Sequence, residues 1–237
     1  MITIQNACKY YHSTCAFHIQ DLSIEDGQII GLLGENGAGK TSLLKSLVGL
    51  TDYSGSLLID GKPAREQYEN ISFITEEGSW FGFMTPMQFG TFLSDFYPSF
   101  HMKRYRNLLD FFELPSSHIV NFSTGQKAKI EIAAGFSKGA QYIFMDEPFL
   151  GKDIFTRRDF LKLMASSLHG SETILLSTHQ VEEIENFLDR AIIIHHGKIL
   201  SDLPLDAIRA QGLTLVEHMQ KVTGYDPERY KQFDFDV

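Results

Sequence analysis

Residues Gly34-Glu35-Asn36-Gly37-Ala38-Gly39-Lys40-Thr41 spell the pattern G-x-x-x-x-G-K-S/T, and their flanks narrow what the chain can fold into. Before them, Gln28–Leu33 reads as a short buried strand; after them, Ser42–Val48 has the apolar spacing of a helix. A strand, a glycine-rich turn and a helix in that order form a phosphate cradle. The glycines let backbone N–H groups turn inward at the positive end of the helix. The pattern places phosphate contacts on Gly34, Asn36, Gly37, Ala38, Gly39, Lys40, Thr41 and Ser42. Lys40 is expected to reach the β- and γ-phosphates, and Thr41 to offer its hydroxyl to Mg²⁺.

A second pair of segments extends this unit into a sheet. Tyr142–Met145 and Thr173–Ser177 are continuous apolar runs without alternation, separated by helical stretches. Strands of that kind are buried on both faces and argue for a parallel sheet. Further strands are expected at Ile2–Ala7, Ala16–Ile24, Leu57–Asp60 and Ile71–Thr75, and a closing hairpin around Gly197. Thr85–Glu113 is helical in character, another helix starts near Ser123, and the tail beyond Pro204 reads as two short helices. The expected organisation is one domain over 1–237, with a helical subdomain at about 77–135 and a tail at about 204–237.

Composition excludes several classes. A net charge of −9 lacks the basic footprint of a general nucleic-acid binder, so no nucleic acid is expected. No apolar run approaches the roughly 18 residues of a membrane span, and Met1–Gln5 lacks the regions of a signal peptide. Cys8 and Cys15 are read as reduced thiols in a cytoplasmic protein. His195 and His196 lack further ligands nearby in sequence and are read as hairpin residues.

The phosphate cradle alone leaves kinases, GTPases, motors and transporter ATPases open. The strand Tyr142–Met145 runs into Asp146-Glu147. A carboxylate on a rigid strand can face a metal shell while its neighbour polarises a water, as hydrolysis requires. Upstream lies Phe122-Ser123-Thr124-Gly125-Gln126 at an expected helix start, where Ser123 also suits an N-cap.

With these motifs in this order the chain resembles the ATP-binding subunits of ABC transporters, particularly single-domain drug and peptide exporters, over about Ile2–Gly224. The resemblance implies an α/β P-loop NTPase fold: a RecA-like, mostly parallel sheet with an antiparallel β subdomain and a small helical subdomain. It implies ATP and Mg²⁺ as ligands, and a head-to-tail dimer in which Ser123, Gly125 and Gln126 of one copy cover ATP on the other. By the same resemblance Glu147, His179 and Lys40 are catalytic, and Thr41, Asp146 and Glu76 surround the metal. Tyr11 would stack on adenine, with Tyr10 its rival, and Asp153 would cross the dimer interface. Three departures stand out. Glu76 replaces a Gln, Thr124 a Gly, and Lys152 adds a charge beside Asp153.

The implied partners are a membrane-spanning permease, holding the chain at the inner face of the cell membrane, and a second ATPase as homodimer or heterodimer. The expected activity is Mg-dependent ATP hydrolysis coupled to export of drugs, peptides or lipids. A soluble or regulatory ATPase acting on ribosomes, DNA or a membrane signalling protein is the alternative. Trp80, Phe81 and Phe83 follow Glu76 and are the candidate partner contacts, because so close a trio cannot all face inward on one helix.

Overall fold

The computed structural model describes residues 1–75, 77–148, 160–162, 164 and 171–226. Glu76, the segment around Asp153 and the end of the tail lie outside the described residues.

Among the described residues, nine strands form two sheets. β1 (Ile2–Tyr11), β2 (Thr14–Ile24) and β4 (Ser54–Ile59) make an antiparallel sheet in the order β2-β1-β4. The second sheet uses β3 (Ile29–Leu33), β5 (Ile71–Ile74), β6 (Tyr142–Asp146), β7 (Thr173–Thr178), β8 (Arg190–His195) and β9 (Lys198–Pro204). Its order is β5-β6-β7-β3-β8-β9, parallel up to β8, with β9 returning antiparallel. The parallel core is what the apolar strand patterns predict, and the antiparallel sheet beside it is what the resemblance implies. β1 and β2 run beyond their expected ends, to Tyr11 and from Thr14, and meet at a tight tip.

Side-chain alternation explains why β6 and β7 read as unbroken apolar runs. Tyr142, Phe144 and Leu175 enter a cluster with α1 (Lys40–Leu47) and the antiparallel sheet, through Leu43, Leu47, Ile4 and Phe17. Their neighbours Ile143, Met145, Ile174 and Leu176 enter a second cluster with Ile130, Ala133 and Phe136 of α4 (Thr124–Ser137). Successive residues on a strand face opposite ways, so a sheet covered on both sides needs apolar residues at every position.

The stretch expected to be helical from Thr85 to Glu113 is two helices, α2 (Pro86–Phe96) and α3 (Met102–Phe111). Pro98 follows the C-cap Tyr97 and disfavours helical backbone in the residue before it, which ends α2. Thr85 caps α2 reciprocally with Gln88, and Ser123 caps α4 the same way with Gln126. Gly90 of α2 lets Tyr105 of α3 approach closely, and the buried Tyr105 hydroxyl donates to the Pro86 carbonyl at 2.9 Å. After β7 come α5 (Val181–Ile184), α6 (Leu205–Arg209) and α7 (Leu215–Thr223), the last two being the short tail helices expected beyond Pro204.

The turn after α4 crosses the segment between α2 and α3 closely. Gly139 has φ +71°, and a Cβ there would lie 2.4 Å from the Ser99 carbonyl oxygen. Gly61 has nearly the same φ, +73°, with open space around it. Gly61→Ala is expected to cost only the left-handed backbone penalty, roughly 1–2 kcal/mol. Gly139→Ala adds a steric overlap of roughly 1–3 kcal/mol. Urea unfolding of the two variants should therefore show Gly139→Ala with clearly the lower midpoint; equal midpoints would remove the close approach as a stabilising constraint.

Candidate active site

The loop between β3 and α1 is gripped by both sheets. A Cβ at Gly34 would lie 2.2 Å from the Ile194 carbonyl oxygen of β8, and one at Gly39 would lie 2.2 Å from the Ala16 carbonyl oxygen of β2. No side chain caps the start of α1, whose N-cap is Gly39 with φ +106°, and its first turn carries no acid. Its first amides thus remain donors, and the helix dipole places positive potential at the same point. Gly37, at φ +82°, has no atom within contact distance of the position a Cβ would occupy. This is a cradle that fits a phosphate chain.

Lys40 begins α1 and is 5% exposed. Its ammonium donates to the Gly34 carbonyl at 2.8 Å and the Glu35 carbonyl at 3.1 Å. It also lies 3.5 Å from Glu147 Oε1. Thr41 Oγ1 donates to Asp146 Oδ1 at 3.0 Å, and Ser177 Oγ donates to the same oxygen at 2.6 Å. Three elements therefore meet at one carboxylate: α1, β6 and β7.

Glu147 leaves the strand with φ +45°, a conformation that costs a non-glycine residue roughly 1–2 kcal/mol. Its N–H donates to the Ser177 carbonyl at 3.1 Å and faces the Ser177 hydroxyl at 3.2 Å, which holds the turn. The Glu147 carboxylate then lies between Lys40 and His179, with His179 Nδ1 at 3.1 Å from Oε1. The structure thus gathers Lys40, Thr41, Asp146, Glu147 and His179 in one network.

The remaining expected residues fall in two places. Tyr10 and Tyr11 are exposed at the end of β1, near the tip whose neighbouring Ala16 touches Gly39, and Lys9 Nζ sits 4.9 Å over the Tyr11 ring. Ser123, Gly125 and Gln126 lie at the start of α4, on a different element, where Ser123 and Gln126 exchange the cap hydrogen bonds. Glu76 and Asp153 lie outside the described residues.

Two contributors were not foreseen. Ser177 orients both acids, and its only sequence signal is a hydroxyl ending the apolar run opposite Asp146. α7 is the other: Val216, Met219 and Thr223 wall a cleft of about 480 Å³ whose far side is Gly34, Glu35 and His179. Among the described residues no group of three His, Cys, Asp or Glu side chains forms a metal cage. A cation carried on phosphates instead needs few protein ligands, and the Thr41 hydroxyl with the Asp146 carboxylate is a hard-oxygen pair of that kind.

The ABC transporter family model matches residues 17–150, which span the cradle and the acidic strand. The chain belongs to that family and is its ATP-binding, ATP-hydrolysing cassette. Among curated relatives it is 26% identical to the manganese transport system ATP-binding protein MntB of Bacillus subtilis, over 94% of this chain and 92% of that protein. It is 29% identical to the lipopolysaccharide export system ATP-binding protein LptB of Haemophilus influenzae, over 85% of this chain and 89% of that protein. A solved ATP-binding subunit of an ABC transporter superposes with a TM-score of 0.83 at 26% identity, covering 94% of this chain and 99% of the other.

Lys40→Met removes the ammonium and keeps the apolar stem. Charge-assisted hydrogen bonds contribute roughly 1.5–3 kcal/mol, so ATP affinity should fall by about 10- to 100-fold. Equilibrium binding of a fluorescent ATP analogue measures this directly. Unchanged affinity in a folded variant would remove Lys40 from phosphate binding.

Proposed function

We propose that this cassette pairs with a second cassette around ATP and drives a separate membrane-spanning permease of the exporting class, which holds it at the inner face of the cell membrane. The observation that carries the proposal is the Glu147 carboxylate, fixed between Lys40 and His179 at the mouth of the phosphate cradle.

In this reading the cradle amides and Lys40 hold the β- and γ-phosphates. Glu147 takes the proton of a water as its oxygen bonds to the γ-phosphorus and the bridging bond to ADP breaks. His179, bonded to that carboxylate, keeps it aimed and contacts the γ-phosphate. The Thr41 hydroxyl and Asp146 would hold Mg²⁺, which when bound would supply charge neutralisation for the phosphates. Tyr11 stacks on the base. Ser123 and the Gly125 N–H of the second cassette close over the γ-phosphate, as a helix N-terminus suits an anion. Asp153 joins the facing copy, and Glu76 belongs to the metal's surroundings.

An exposed aromatic patch supports a protein partner. Phe83 is 71% and Phe81 41% exposed, with ring centroids 5.7 Å apart. Phe81 continues onto Phe92 at 5.2 Å and Phe92 onto Phe96 at 4.8 Å, and Val120, whose N–H donates to the Gly82 carbonyl, is exposed as well. Contiguous apolar surface of this kind is where soluble modules meet partners. Trp80 is not part of it. It packs half-buried against the core with Lys127 Nζ 5.0 Å over its ring, which corrects its place among the candidate contacts. The LptB likeness favours export, while the MntB likeness shows that the shared fold also serves a system named for transport alone.

Glu147→Gln is expected to lower ATP turnover by about 100- to 1,000-fold, the scale of losing one reacting group, while ATP-dependent pairing persists. Steady-state turnover and light scattering with ATP test both halves; near-normal turnover would sink the role. Phe83→Glu should cut permease-stimulated turnover by about tenfold or more and leave the soluble ATPase within about twofold, since a buried charge destroys an apolar contact. Equal loss of both activities would show that the patch serves folding and not docking.

A further inference from the structure

The start of α4 carries Ser123, and the chain leaving β5 carries the aromatic patch. The N-cap Ser123 and the α4 residues Lys127, Glu131 and Gly135, spaced by four, lie along one side of that helix. Gly135 engages β5 itself, and Glu131 and Lys127 engage the chain leaving it. Gly135 lies against Ile74 with no room for a Cβ, and its carbonyl accepts from the Ser72 hydroxyl at 2.9 Å. One turn earlier, Glu131 accepts from the Ser79 N–H at 2.8 Å and from the Ser79 hydroxyl at 2.9 Å and 3.1 Å. A further turn earlier, Lys127 covers Trp80.

The connection continues past Trp80. Val120 N–H donates to the Gly82 carbonyl and Ile119 N–H to the Met84 carbonyl, both at 2.9 Å, so residues flanking Phe83 are tied to the segment entering Ser123. Glu131 is the costly member of this set. It is a carboxylate only 2% exposed, between the apolar Ile130 and Ile132, and its hydrogen-bond donors come from the chain leaving β5. Burial pushes its carboxyl up, and the Ser79 N–H, the buried Lys138 ammonium at the C-cap of α4, the Ser79 hydroxyl and the Thr75 backbone oppose that rise. A buried carboxylate of this kind persists only where its bonds are made, and losing them is expensive.

We propose that Glu131 is a positioning residue that makes α4 and the segment from Ser79 to Met84 one body, so that closure over ATP at Ser123 is delivered to the partner patch. The proposal rests on the paired-cassette reading above. Glu131 touches neither nucleotide nor the reacting atoms. Its substitution should therefore separate ATP binding from the movement of the patch.

Trp80 is the only tryptophan in the chain and lies between Glu131's partner Ser79 and the patch, so its emission reports the joint directly. The test uses the full chain carrying Glu147→Gln, with Mg²⁺ and ATP added, and follows Trp80 emission, the ATP concentration at half-saturation, and pairing by light scattering. The parent should change emission on pairing. Adding Glu131→Ala should shrink that amplitude by about fivefold while half-saturation and pairing stay within about threefold, in the range of single-residue coupling effects. Glu131→Gln keeps one acceptor for the Ser79 N–H and should restore at least about half of the amplitude, whereas Glu131→Leu, which restores bulk without an acceptor, should not; equal rescue by both would overturn the inference. Where Glu131→Ala does not fold, Ser79→Ala removes only the hydroxyl and should reduce the amplitude by about twofold. Full amplitude in Glu131→Ala, full amplitude in Ser79→Ala, or pairing with no emission change in the parent overturns the inference and leaves the paired-cassette reading standing. No ATP-dependent pairing in the parent overturns both.

Discussion

Both faces of the parallel sheet are covered, and this one condition dictates where chemistry can occur. Tyr142, Phe144 and Leu175 pack against one layer while Ile143, Met145, Ile174 and Leu176 pack against the other. A polar side chain inside such a strand would lose its water without gaining partners. Polar groups therefore collect at the strand ends, and the carboxyl ends of parallel strands all point the same way. Asp146 and Glu147 end β6, Ser177 and His179 end β7, and the phosphate cradle ends β3. Their meeting follows from the sheet order β6-β7-β3.

Adjacent acids can take different tasks because the backbone changes direction between them. Asp146 keeps the strand register opposite Ser177 and accepts two hydroxyl donors. Glu147 turns out at φ +45° and meets two side chains that carry or can carry positive charge. The turn is held by Ser177, which serves the first acid with its hydroxyl and the second with its carbonyl. A single serine thereby fixes the angle between the two carboxylates.

The parts of the fold legible in the sequence were those in which local pattern and burial agree. The apolar runs at Tyr142 and Thr173, the glycine-rich turn and the N-caps carry their signals within a few residues. The break between α2 and α3 also has a local signal, Pro98, inside a stretch whose overall character is helical. Trp80 was misplaced because exposure depends on the side chain laid over it from α4, which lies far away in sequence. Ser177 and Glu131 were missed for the same reason: each acts through a partner on another element, and neither belongs to a local motif. The gathering of α7 beside His179 is likewise a tertiary result, since a capped amphipathic helix does not name the surface it will cover.

Gly34 and Gly39 set backbone against backbone: one against β8 of the parallel sheet, the other against β2 of the antiparallel sheet. The nucleotide loop is thus also a seam joining the two halves of the fold. Any molecule that binds only the folded form of such a seam shifts the unfolding equilibrium in proportion to the logarithm of its concentration over its dissociation constant. The stability of this chain in a cell is therefore a function of nucleotide supply, and a cassette starved of ATP is the one most exposed to unfolding.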